Sequence, residues 1–168
     1  LDGYMDCCDA ILSRRDLATR QKILKDAHVG AFAVIGLAIL FLLQFAAFCT
    51  LDARQSAPAL LLLPVCTRAV SGLCVSTMRT MSTSQYSGDY ARERKTPQCV
   101  CLVLWLAAAL AAGWFLCGVR VLALAGGALG VWLAALYGKH QLGGMSGDVS
   151  GFALTLGELA GFLCLCLL

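Results

Sequence analysis

The sequence predicts an all-α fold: a polytopic membrane helical bundle of about five transmembrane helices, preceded by an acidic helix at the cytoplasmic membrane face. Three observations predict it. Hydrophobic residues make up 60% of the chain against 14% charged, and the mean hydropathy is +0.79, whereas roughly half the residues of a soluble domain are apolar. Five apolar stretches reach or approach the roughly 17–25 residues that a spanning helix needs. Lysine and arginine gather in alternate connections between those stretches, the pattern that orients membrane helices. Residues 1–168 therefore read as one integral membrane domain, with 1–28 an acidic, amphipathic segment and 29–168 the bundle.

The first element is the acidic helix in LDGYMDCCDA. At about 100° per residue, Asp2, Asp6 and Asp9 fall near 0°, 40° and 340°, which puts three carboxylates in one narrow strip. Like charges one turn apart repel, so the strip suggests a bound divalent ion, Mg²⁺ bridging substrate phosphates; a solvated amphipathic face is the plainer alternative. Leu1 is not an initiator and LDG opens inside a patterned helix, so an upstream segment is expected. Nothing in the acidic, polar start resembles a cleavable signal peptide. Lys25 and Asp26, followed by His28 and Gly30, close this segment, either beside a ligand or as an interfacial anchor.

The spans follow at 29–51, 57–75, 98–118, 121–138 and 151–168, with ends uncertain by a few residues. The second carries Arg68 near its middle, where an arginine costs about 2.5–3.5 kcal/mol unless paired or hydrated. Three readings stay open: a pair with Glu158, which alone among the acids lies inside an apolar span, a contact to a substrate phosphate, or snorkelling to the interface. The Ser/Thr-rich stretch between the second and third spans reads as a connector. Before the last span, Gly143, Gly144 and Gly147 in GGMSGD (143–148) free the backbone to approach a ligand, and Asp148 is either a helix cap or a ligand.

Orientation comes from the loops. Arg14, Arg15, Arg20, Lys22 and Lys25 precede the first span; Arg79, Arg92, Arg94 and Lys95 follow the second; Lys139 follows the fourth. The opposite loops hold Arg54 and Arg120. The positive-inside rule places 1–28, 76–97 and 139–150 in the cytoplasm, so both acidic patches share one face. A net charge of +3 is too small to argue for nucleic acid. The ten cysteines form no CxxC pair and mostly sit in apolar spans, where a thiol behaves as a small hydrophobe. Cys7 and Cys8 lie beside the carboxylates, but stacked carboxylates favour hard cations over the soft metals that thiols prefer.

Taken together, LDGYMDCCDA, KILKDAHVGAF (22–32), TRAVSGL (67–73) and LGGMSGD (142–148) with Gly151 and Glu158 resemble the adenosylcobinamide-GDP ribazoletransferase family, the cobalamin synthases of the late vitamin B12 pathway. Four blocks in the same order cover nearly the whole chain. Ala10 stands where many members carry glycine, and the His-containing stretch that usually leads into the first DG does not precede Leu1. The resemblance implies a bacterial inner-membrane, multi-pass enzyme with cytoplasmic active-site loops. It would join adenosylcobinamide-GDP to alpha-ribazole or its 5′-phosphate, giving adenosylcobalamin or its phosphate and GMP. Asp2, Asp6, Asp9 and Asp148 would hold Mg²⁺ and carry catalysis. Lys25, Asp26, Arg68, Gly143, Gly144, Gly147 and Glu158 would line the substrates. The partners are these two substrates and the lipid bilayer, and a homo-oligomer is left open.

Two other readings compete. A CDP-alcohol phosphotransferase also uses an acidic helix at a membrane face, but Asp6 stands where that pattern expects alanine and its second half is missing. A multi-pass transporter should show polar or broken helices at mid-membrane, for which Arg68, Glu158, Gly126 and Gly127 are the hints.

Overall fold

A computed structural model describes residues 1–81 and 96–168 of the chain. Arg92, Arg94 and Lys95, and with them most of the expected 76–97 loop, lie outside the described residues. Among the described residues there are seven α-helices: α1 (Asp2–Leu12), α2 (Leu17–Ile23), α3 (Ala31–Thr50), α4 (Ala53–Thr77), α5 (Thr96–Cys117), α6 (Val121–Leu142) and α7 (Gly147–Cys166). A 3₁₀ turn, Gly118–Arg120, joins α5 to α6, and Gly118 takes φ +56° there in open space.

Aspartate side chains cap the starts of α2 and α4. Asp16 caps α2, its carboxylate accepting from the Thr19 amide at 3.2 Å and the Thr19 hydroxyl at 2.6 Å. Asp52 caps α4 in the same way through the amide of Arg54 at 3.0 Å. Proline at 58 and 64 removes amide donors inside α4. The Thr67 hydroxyl donates back to the Leu63 and Pro64 carbonyls, and α4 runs through both prolines as one 25-residue helix.

The long helices run alternately between two ends of the bundle. Gly72 meets Leu102 and Gly113 meets Leu62, so α5 runs antiparallel to α4. Arg120 donates to Gln55 at 2.7 Å and Gly127 packs on Leu63, so α6 returns parallel to α4. Gly126 lies on Cys164 and Gly138 on Val149, so α7 is antiparallel to α6. Tyr4 bonds to Gly36 near the start of α3 and stacks on Phe152, while Phe48 packs on Phe162 near the end of α3, so α3 runs in the same direction as α7. Among the described residues four helical runs are long and apolar enough to cross a membrane. The third, 96–142, is doubled back at the 3₁₀ turn, which reconciles four runs with the five spans expected from the sequence.

The protein is a membrane protein by this architecture. Large apolar side chains such as Leu42, Phe45, Trp105 and Phe115 point outward, while the inward stripe of α3 is Ala33, Gly36, Leu40 and Ala47. Small residues set the closest seam: a Cβ at Gly157 of α7 would lie 2.2 Å from Val131 and 2.9 Å from the Gly127 carbonyl on α6.

Candidate active site

The short helix α1 lies across the bundle at the end where α3 and α7 begin. Its buried face is Tyr4, Cys7, Cys8 and Ile11. The Tyr4 hydroxyl donates to the Gly36 carbonyl at 3.1 Å, and its ring stacks on Phe152 at 5.9 Å. Gly3 makes the crossing possible: a Cβ there would stand 2.6 Å from the Asp148 Cα. The opposite face of α1 carries Asp2, Asp6 and Asp9, so two acidic segments well over a hundred positions apart in sequence meet at this crossing.

Electrostatics record the meeting. Burial raises the proton affinity of Asp6 above its ordinary value, and the charges of Asp2, Asp148 and Asp9 raise it further. The ion pairs among the described residues are His28–Asp26 and Arg68–Glu158, so none of these four carboxylates is neutralised by one. Oxygen-only donors with crowded negative charge suit a hard divalent cation. Among the described residues, however, no three His, Cys, Asp or Glu side chains converge as a ready-made metal site.

Asp9 differs from the other three. Its Oδ2 accepts from the Gly30 amide at 2.6 Å and its Oδ1 from the Ala33 amide at 2.9 Å, so it caps the first turn of α3 from another helix. Asp148 is not the cap that its position before the last span suggested. Ser146 is the N-cap of α7, its hydroxyl accepting from the Val149 amide at 3.2 Å, and Asp148 sits in the first turn, half-buried and facing α1.

The expected substrate contacts divide. Gly143 ends α6 at φ +83°, and Gly144 is buried with its Cα against the Met81 backbone, so both serve the turn and its packing. Gly147 lines a cavity of about 580 Å³ with Gly72, Val75, Gln98 and Ser150. Asp26 joins Asp9, His28 and Gly30 around a smaller cavity of about 330 Å³. The His28 ring and amide, at 2.7 and 3.0 Å, hold the Asp26 carboxyl below its ordinary proton affinity. Lys25 is exposed. Arg68 and Glu158 bind each other at 2.9 Å, ten residues along α7 from Asp148 and so about 15 Å from the acidic crossing. Their depth separates them from it.

Sequence reasoning passed over Tyr4, which anchors α1 to α3, and Ser146. Only the second left a local signal, a serine two residues ahead of an acid at a helix start.

Comparison with known proteins gives one consistent result. A family profile described as cobalamin-5-phosphate synthase matches residues 1–166. Proteins named adenosylcobinamide-GDP ribazoletransferase are similar along the whole chain. That of Clostridium botulinum (strain Alaska E43) is 36% identical over 99% of this chain and 67% of its own length. That of Clostridium perfringens (strain 13) is 35% identical over 98% and 66%. That of Pseudomonas syringae pv. syringae is 38% identical over 100% and 69%. The chain thus spans about two thirds of the length of these relatives. No solved structure matches it.

Proposed function

The chain belongs to the cobalamin-5-phosphate synthase family, and from that premise we propose that it is an inner-membrane transferase joining adenosylcobinamide-GDP to alpha-ribazole or its 5′-phosphate with release of GMP. The observation that carries the reading is the crossing of α1 over the start of α7, which gathers Asp2, Asp6 and Asp148. The reaction is attack of a ribose hydroxyl on a phosphorus of the diphosphate. Such transfers depend mainly on positioning and on neutralising charge.

Asp2, Asp6 and Asp148 would hold Mg²⁺, which when bound would offset the charge of the diphosphate and the departing GMP. The carboxylates of this group offer an acceptor for the proton of the attacking hydroxyl. Asp9 is a positioning residue: by capping α3 it fixes how α1 lies on the bundle. Gly147, at the rim of the 580 Å³ cavity beside Asp148, leaves that side of the site open to a large substrate. The positive-inside rule puts this end of the bundle in the cytoplasm, where both water-soluble substrates would arrive.

Membranes carrying the protein, given adenosylcobinamide-GDP, alpha-ribazole and Mg²⁺, should release GMP in step with corrinoid product, and chelation should stop it. Consumption of neither substrate, or transport of the corrinoid without GMP, would overturn the reading in favour of a transporter.

A further inference from the structure

A basic cavity of about 400 Å³ opens beside the end of α6, lined by Arg79, Leu136, Lys139, His140 and Gly143. Its cationic groups come from two separate segments. Lys139 and His140 occupy the last turn of α6, where a helix C-terminus favours positive charge, and that explains those two alone. Arg79 follows α4 and is brought there by backbone pairing. The Met145 amide donates to the Arg79 carbonyl and the Met81 amide to the Met145 carbonyl, both at 2.9 Å. The buried Gly144, whose missing side chain admits Met81, makes that pairing close. None of the three belongs to either ion pair among the described residues. The cavity is built by the fold and, among the described residues, its walls carry Arg79, Lys139 and His140 and no acid.

Its surroundings decide the ligand. Leu129, Trp132, Leu133 and Tyr137 of α6 are 47–55% exposed and, with Trp132 and Leu133 adjacent, lie three and four residues from their neighbours on either side, forming an outward apolar stripe that ends at His140. An apolar stripe capped by a basic cavity large enough for a headgroup matches a molecule with both parts. Basic pockets beside membrane helices recognise acidic headgroups. A free phosphate would use the cavity alone, whereas the lipid-facing stripe beside it favours a phosphate carried on acyl chains.

We propose that Arg79, Lys139 and His140 hold the phosphate of an anionic phospholipid whose acyl chains lie along the exposed face of α6. The cavity includes none of the acidic crossing's carboxylates, and the proposal does not rest on the transferase reading. The test uses the full chain in phosphatidylcholine nanodiscs with graded phosphatidylglycerol, with retained lipid counted by native mass spectrometry after extraction.

Phosphatidylglycerol should be retained over phosphatidylcholine. Arg79→Gln and Lys139→Gln should each weaken retention about fivefold, and Lys139→Arg should preserve it. The Arg79 side chain is exposed, so Arg79→Gln should leave the helix content unchanged by circular dichroism. Equal retention of the two lipids, or undiminished retention in the Arg79→Gln/Lys139→Gln double variant, overturns the site. Thermal stabilisation of detergent-solubilised protein by inorganic phosphate, without a phosphatidylglycerol preference, would overturn the lipid and assign the cavity to a soluble anion.

Discussion

At Asp6 partial burial and the charges of Asp2, Asp148 and Asp9 act in the same direction, favouring the protonated form. A carboxyl whose folded proton affinity is raised supports folding below its unfolded pKa of about 3.9 and loses that support as pH rises through the folded value. At neutral pH the ionised Asp6 therefore strains the fold. Asp6→Asn should raise the melting temperature near pH 7 in chelator, show little advantage below about pH 4, and lose GMP release. Melting curves at the two pH values check this, and a lower melting temperature for Asp6→Asn near pH 7 would contradict it. The strip itself was legible, because helical spacing is a local property of LDGYMDCCDA. The capping role of Asp9 was not, because its donors, the amides of Gly30 and Ala33, reach it only once α1 has docked on α3. Arg68 and Glu158 were readable as a pair because each is the rare charge inside an apolar span.

Between elements, the α6–α7 seam is the tightest packing. Gly157→Ala would drive a methyl into Val131 and the Gly127 carbonyl, where backbone leaves no room to yield, and should destabilise by about 3 kcal/mol or more. Gly118→Ala adds a methyl to open space and should cost about 1–2 kcal/mol, from its left-handed φ alone. Comparing the two by denaturation in detergent separates crowding from backbone strain; equal losses would mean the seam is looser than described. The spans themselves could be read from hydropathy, and their ends fall within a few residues of the helices seen. Gly147 of GGMSGD lines the larger cavity, whereas Gly143 and Gly144 also carry structural duties that the sequence did not signal. Composition signals that glycine is needed but not why, and the reasons here are a left-handed helix end at Gly143 and a distant backbone at Met81 against Gly144.

At the scale of the whole molecule, alternation of the five long helices puts α1, the end of α4 and the start of α7 at one end, and the 3₁₀ turn with Gln55 at the other. With exposed Cys49 and Cys101 replaced, a cysteine at Arg15 or His140 should react with an impermeant maleimide only in opened cells, and one at Gln55 from outside. Reversed labelling would invert the assigned orientation while leaving the bundle intact. Whether α1 and the start of α7 form one site is decided by a double-mutant cycle on GMP release. Asp6→Asn and Asp148→Asn should each remove most of the rate. Together they should be within about threefold of the worse single variant, because residues acting as a unit lose most of their effect with the first removal. A combined loss equal to the product of the two single losses would contradict the shared site.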